Sequence, residues 1–278
     1  MYESHFGLNK RPFSLLPEPG FIYFSRQHRI AADLLEYGLI QAAAFSVVTG
    51  AIGTGKTTLL RNLLRKIKPG TAVGAIASAH PTPANLLRRV LHAFSVENTG
   101  GDELANLGAF DSFLANLARH DRRALLLIDE AQNFSMEGLE ALRMLTNVNT
   151  DKTTLQVLLI GQPGLRNMLR RPELEQLAQR VQVDYHIEPL DGVETNAYIQ
   201  HRLGVAGANG QEILTETARH AIFEHSGGVP RLINILCDTA LVYGYAAGKK
   251  CVDLDIVQEV AGDRRRSGIL PLAQSATA

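Results

Sequence analysis

The sequence predicts an α/β protein: a parallel sheet wound with helices, followed by a segment made of helices alone. Three observations predict it. Near-continuous apolar runs of strand length recur at Phe45–Thr49, Ala124–Ile128 and Leu155–Ile160, as expected for strands buried on both faces of a parallel sheet. Helical patterns separate these runs, giving the alternation of βαβ units. After Pro189 the alternation stops and helical patterns follow one another, which sets a domain boundary near residue 190.

Residues 1–44 precede the first inner strand. Pro12, Pro17 and Pro19 keep the first half irregular, and Phe6, Phe13, Phe21 and Phe24 give it apolar anchors. A helix is expected from about Ser25 to Gln41, with Ala31, Leu34, Leu35 and Leu39 on one side. Residues 45–58 then read Phe-Ser-Val-Val-Thr-Gly-Ala-Ile-Gly-Thr-Gly-Lys-Thr-Thr. The pattern G-x-x-x-x-G-K-[ST] is complete: Gly50, Ala51, Ile52, Gly53, Thr54, Gly55, Lys56 and Thr57, with Thr58 next. Glycines at these positions let backbone N–H groups turn inward around phosphate oxygens, where a side chain would block the approach. Lys56 then reaches the β- and γ-phosphates of a bound ATP, and the Thr57 hydroxyl takes Mg²⁺. The helix that starts here points its positive end at the same anion. The 1–44 extension is expected to be a packed N-terminal cap near this nucleotide site; a compatible functional reading has part of it, around Pro12-Phe13 or His28, covering the adenine.

A second strand is expected at 71–77, and Pro81 and Pro83 start a helix through Leu91. Residues 95–108, with Gly100-Gly101, read as a linker before a helix from Phe110 to Arg119. The run 124–130 ends in Asp129 and Glu130, at the end of the strand where ligands of parallel sheets bind. Asp129 is placed to hold Mg²⁺ through its water shell, and Glu130 to polarise the attacking water as general base. Ser135 caps a helix to Thr146 with Met136, Leu139, Leu142 and Leu145 inward. The strand at 155–160 ends in Gly161-Gln162-Pro163, where Gln162 is a turn residue or a holder of the attacking water. A helical stretch from Gly164 to Gln179, broken near Pro172, leads to Arg180 and a fifth strand at 181–187. Arg180 is expected at the domain surface, as a plain surface arginine or as a finger into a neighbouring subunit's ATP. Four helices follow: one capped by Asp191, one carrying Leu214, Ala218, Ala221 and Ile222, one over Val229–Ala247, and one over Asp253–Arg265. Arg231 opens the third, where the helix dipole disfavours a cation unless an anion lies in reach. The expected divisions are 1–44, the ATPase core 45–189, a helical lid 190–265, and a flexible tail 266–278.

Lys+Arg and Asp+Glu are each 28, so the formal net charge is zero. That balance gives no general pull toward nucleic acid or anionic lipid. Arg88-Arg89, Arg122-Arg123, Arg170-Arg171 and Arg264-Arg265-Arg266 read as solvated helix ends. Cys237 and Cys251 have no metal or redox spacing. No apolar signal core opens the chain and no run is long enough to span a membrane, so a cytoplasmic protein is expected, peripheral to the inner membrane at most.

The loop, the strand ending in two acids, Arg180 before the fifth strand and Gly-x-Pro-Arg before a helix together resemble an AAA+ ATPase. More narrowly, Met1-Tyr2, Phe6-Gly7-Leu8, Pro12-Phe13, Asp129-Glu130-Ala131-Gln132, Gly161-Gln162-Pro163, Gln179-Arg180 and Pro230-Arg231-Leu232-Ile233-Asn234 with Leu236-Cys237-Asp238 resemble the ExeA/GspA-type (general secretion pathway protein A) bacterial secretion ATPases. Relatives of that group occur in pilus-biogenesis and exopolysaccharide-export loci. The resemblance covers about residues 1–265. It implies a five-stranded parallel sheet of order 5-1-4-3-2 with a helical lid. Lys56 and Thr57 then belong to Walker A and Asp129 and Glu130 to Walker B. Gln162 falls at sensor 1, where many AAA+ proteins have Asn, Ser or Thr. Arg180 falls at the arginine finger, and Arg231 at sensor 2. Longer members continue into a membrane span and a peptidoglycan-binding domain. This sequence stops without either, as expected of a short stand-alone member.

The resulting expectation is an ATPase with Mg-ATP as ligand that drives or assembles a cell-envelope secretion, pilus or exopolysaccharide system. It works as a ring or dimer with Arg180 acting in trans, beside an export-machine partner at the inner membrane. Nucleic acid is not expected as a partner. Two alternatives share the core: a DNA-associated ATPase of transposition or initiator type, and a nucleotide-gated scaffold with little turnover. Neutral charge weighs against the first and Glu130 against the second.

Overall fold

The computed structural model describes residues 1–16, 18–67, 69–77, 83–97, 103–149, 155–267 and 272. They divide into two compact units. One comprises His28–Ile52 and Leu59–Ile187; the other comprises Met1–Gln27, Gly53–Thr58 and Glu188–Ala278. The expected 1–44 segment and the glycine loop are thus each divided between units.

The first unit is built on a five-stranded parallel sheet, with β1 (Phe45–Gly50), β2 (Thr71–Ile76), β3 (Arg123–Ile128), β4 (Leu155–Gly161) and β5 (Val181–Ile187) in the order β2-β3-β4-β1-β5. This is the expected order. β4 lies between β1 and β3, pairing Thr49 with Gly161 and Leu159 with Ile128. Every residue of β1 and β4 is buried, because helices cover both faces and leave no room for a polar alternation. The helices of this chain stretch are α1 (Arg26–Ile40), α2 (Lys56–Lys66), α3 (Pro83–Ala93), α4 (Glu103–Arg119), α5 (Met136–Leu145), α6 (Pro163–Leu169) and α7 (Glu175–Ala178). Leu86, Val90, Phe110, Leu114, Leu139, Leu142 and Leu165 pack with Phe45, Leu126, Leu159 and their neighbours in one core. Gln156, a polar residue inside β4, is accounted for by α1: its Nε2 donates to the carbonyls of Gly38 (3.2 Å) and Leu39 (3.3 Å). Those are end-of-helix carbonyls without an intrahelical partner.

Several boundaries differ from the sequence expectation. α4 starts at Glu103, seven positions before the expected Phe110, so Gly108 lies inside the helix. The helical stretch after Gln162 is α6, a 3₁₀ turn at Pro172–Leu174 and the single turn α7. Pro81, Gly100-Gly101 and nearly all of the tail lie outside the described residues.

The second unit holds α8 (Gly192–Val205), α9 (Glu216–Ser226), α10 (Pro230–Ala246) and α11 (Leu254–Ser267). Asp191 caps α8 by accepting from Glu194 N at 2.7 Å. Leu214 sits outside α9, whose cap is Thr215; it pairs instead with Val252 in an isolated bridge. Tyr2, Phe6, Leu8, Phe13 and Phe21 join Ile199, Ile222, Ile233, Leu236, Leu241 and Val257 in one core. Arg202 of α8 is only 6% exposed. It donates to the carbonyls of Pro12 (2.6 Å) and Ser14 (3.2 Å) and to the Tyr198 hydroxyl (2.8 Å), and its guanidinium lies over the Phe21 ring. Tyr2 donates to Asp238 at 2.6 Å, and Arg11 grips the same carboxylate with two nitrogens. Burial first, and the Asp238 carboxylate next, push the Tyr2 phenol well above its usual range. Cys237 is fully buried, and burial raises its thiol, so it is an inert core residue. Among the described residues no helix is long and apolar enough to cross a membrane.

Candidate nucleotide site

The sequence Thr49–Lys56 passes from strand to helix through glycines held in a conformation that other residues resist. Gly53 and Gly55 have φ of +85° and +98°, in the left-handed region that glycine enters without a steric penalty. α2 begins at Lys56, so the amides of its first turn have no intrahelical partner. Thr54 and Lys56 are buried, Lys56 at 8% exposure, whereas Thr57 and Ile52 are exposed. A loop with turned amides, a helix N-terminus and a lysine in its first turn fits a triphosphate. Close packing also requires Gly53. A Cβ there would lie 2.6 Å from Arg231 Cβ and 3.2 Å from Val229 Cγ1. Arg231 N donates to the Gly53 carbonyl at 3.3 Å, and Arg231 itself is exposed. The predicted loop and the predicted sensor-2 arginine are therefore backbone neighbours.

That α10 starts at Pro230 depends on Gly227 and Gly228, both in positive φ. At Gly228 a Cβ would fall 1.8 Å from the Leu190 carbonyl oxygen, while Leu190 N donates to the Gly228 carbonyl at 2.9 Å. Sequence reading singled out this turn for its arginine; the second glycine is what the packing demands.

The two acids follow β3. Asp129 N donates to the Ile76 carbonyl at 3.0 Å, and Asp129 Oδ1 accepts from Glu130 N at 2.9 Å. Glu130 has φ 54° and ψ 41°, a left-handed conformation costing a non-glycine residue roughly 1 kcal/mol or more. Such outliers concentrate at functional sites. Its Oε2 accepts from Gln132 Nε2 at 2.5 Å and from Gln162 Nε2 at 3.2 Å. Gln132 Oε1 in turn accepts from Gln162 N at 2.9 Å. Because β4 lies between β3 and β1, the ends of these three strands share one edge of the sheet. At that edge β1 runs out into Gly50-Ala51-Ile52, β3 into Asp129-Glu130 and β4 into Gln162. Sequence reading named Glu130 and Gln162 but gave Gln132 no role. No periodicity marks Gln132; its presence beside Gln162 depends on strand pairing.

Arg180 is half-buried rather than free at the surface. Its Nη1 donates to Thr146 Oγ1 at 2.9 Å and approaches the Arg143 carbonyl at 3.5 Å, at the C-terminal end of α5. Cations are favourable at helix C-termini, so the arginine has a local structural anchor.

The sheet order, the loop and the paired acids define the AAA+ P-loop fold, and a family profile described as the AAA domain matches residues 40–169. Two solved structures share the fold. The Aeropyrum pernix ORC2 protein, in its ADPNP-ADP complexes, has a TM-score of 0.66 at 15% identity, covering 92% of this chain and 72% of that one. Cdc6p from Pyrobaculum aerophilum has a TM-score of 0.67 at 16% identity, covering 87% and 67%. The chain is also similar to general secretion pathway protein A. The protein of that name from Aeromonas hydrophila is 43% identical over 271 residues, 95% of this chain and 49% of the relative. The chain thus spans about half the length of that relative.

Proposed function

We propose that this chain binds and hydrolyses Mg-ATP and uses the cycle to assemble or drive a bacterial cell-envelope export machine, acting from the cytoplasmic side of the inner membrane. The observation that carries the proposal is the shared sheet edge, where the glycine loop leaves β1 one strand away from the Asp129-Glu130 end of β3. In this reading residues 45–189 are the catalytic core, 190–265 the lid, and the 1–44 extension packs near the nucleotide.

The loop amides of Gly50–Gly55 and the α2 N-terminus cradle the phosphates, and Lys56 adds a positive charge. Mg²⁺, held by the Thr57 hydroxyl and through water by Asp129, would neutralise charge on the transferred group. Glu130 orients the attacking water and accepts its proton, and Gln162 holds the same water from β4. Arg180 reaches into the next subunit's site, so turnover depends on assembly in a ring or dimer. Arg231 answers the γ-phosphate and moves the lid. The export role is supported by the 43% identity to general secretion pathway protein A.

The test is phosphate release by the full chain in Mg-ATP, alongside binding of a fluorescent ATP analogue. Lys56→Ala is expected to lose binding. Glu130→Gln is expected to bind but turn over roughly 10²–10⁴-fold more slowly. Wild-type turnover by Glu130→Gln would leave the hydrolytic reading without its base. Captured from native cells in ATP, the same variant is expected to retain an envelope export component; recovery of nucleic acid alone would refute the export role.

A further inference from the structure

Glu130 does not stand alone at the end of β3. Its carboxylate is tied to a side chain two positions on and, through it, to the end of the neighbouring strand. We propose that Gln132 is the positioning residue for Glu130, holding the acid in register with the end of β4 through a single amide used at both ends. The proposal rests on the reading of Glu130 as general base.

Three features support it. First, the Gln132 amide is committed in both senses. Oε1 accepts from Gln162 N at 2.9 Å, so Nε2 is the end presented to Glu130, at 2.5 Å. An amide whose oxygen is engaged by a backbone N–H has only donors left to offer. Second, the space it occupies is reserved by a glycine. A Cβ at Gly161 would lie 2.8 Å from Gln132 Oε1, so any larger residue there would displace the bridge. Third, the acid's backbone is left-handed, and the 3₁₀ turn Ala131–Asn133 that follows brings Gln132 back toward it. The Gln162 side chain adds a second amide donor to the same oxygen at 3.2 Å. One glutamine thus joins the acid to the strand end bearing Gln162. Misplacing a catalytic group by about 1 Å costs up to roughly 10²-fold in rate, so the bridge has enough leverage to matter.

The isosteric Gln132→Glu variant separates positioning from packing. It keeps an oxygen to accept from Gln162 N, but when ionised it offers Glu130 no donor and adds like charge. Gln132→Glu and Gln132→Ala are expected to lower kcat roughly 10- to 100-fold, with KM for ATP and melting temperature near wild type. In a Glu130→Gln background, single-turnover rates are expected to show no further loss on adding Gln132→Ala, because Gln132 acts through the acid. If both Gln132 variants turn over within twofold of wild type while Glu130→Gln is inactive, the inference fails and the hydrolytic reading stands. Losses that multiply in the double variant also overturn it, since Gln132 would then act independently of Glu130. If Glu130→Gln is as active as wild type, the hydrolytic reading itself fails, and this inference with it.

Discussion

Replacing Arg180 with alanine separates two roles by magnitude. As a helix anchor, Arg180 contributes one charge–dipole interaction and one hydrogen bond to Thr146 at 2.9 Å; the 3.5 Å approach to the Arg143 carbonyl adds little. Charges at helix ends contribute roughly 0.3–1 kcal/mol and a hydrogen bond about 1 kcal/mol net. Removing both costs about 1–2 kcal/mol, a melting shift of roughly 2–8 °C for a chain of this size. Against a typical stability of about 5–15 kcal/mol, the variant remains folded at 25 °C. Losing an arginine finger instead costs roughly 10³–10⁵ in rate, or about 4–7 kcal/mol in the barrier. Destabilisation alone cannot account for such a loss. The assay is ATP turnover of Arg180→Ala alone and mixed with Glu130→Gln. One partner keeps an intact base but lacks the finger; the other keeps the finger but lacks the base. A trans finger predicts that the mixture regains activity, rising with total protein. Turnover by Arg180→Ala within twofold of wild type would reduce the residue to its anchoring role. An inactive variant that the mixture fails to rescue would place its action within its own subunit.

Gly53→Ala is expected to weaken ATP-analogue binding about tenfold or more and to lower the melting temperature by roughly 2–4 °C or more, since a left-handed alanine costs roughly 1–2 kcal/mol and its Cβ would press on Arg231; unchanged affinity would mean the loop relaxes freely. Arg202→Met leaves the Pro12 and Ser14 carbonyls without their buried donor, and is expected to cost about 3 kcal/mol, or roughly 6–12 °C in melting temperature. A shift below about 2 °C would count against the arginine as the N-terminal clasp. Asp253 caps α11 and pairs with Lys249 at 2.6 Å, and that bond chiefly holds its carboxyl below the ordinary aspartate range. A depressed folded value stabilises the protein above the unfolded value of about 4, and that stabilisation is lost as pH falls through the folded value. Asp253→Asn should therefore melt below wild type near neutrality, with the gap closing in acid; a gap independent of pH would refute this.

The inner strands were legible because burial on both faces leaves one solution, an apolar run. The glycine loop was legible because its spacing is a backbone requirement. Asp129 and Glu130 could be located from the end of the β3 run alone. What stayed hidden depends on partners distant in sequence. Gln132 meets Gln162 30 positions on, and Arg180 meets Thr146 34 positions back. The phenylalanines at 6, 13 and 21 were readable as anchors, but nothing local states which core they serve. The start of α4 is not legible because Gly108 and the preceding Gly100-Gly101 look like punctuation, whereas the helix runs on through Gly108 and buries Phe110, Leu114 and Leu117.

Tyr2 and Asp238 are bonded across 236 positions, and this separation orders events during synthesis. Residues 2–21 cannot complete their packing until α10 and α11 have been made. At about 5–20 residues per second, that wait lasts on the order of tens of seconds, with Phe6, Phe13 and Phe21 still exposed to water. The strands and helices of the first unit emerge within that interval and can fold around their own core before these aromatic residues are claimed.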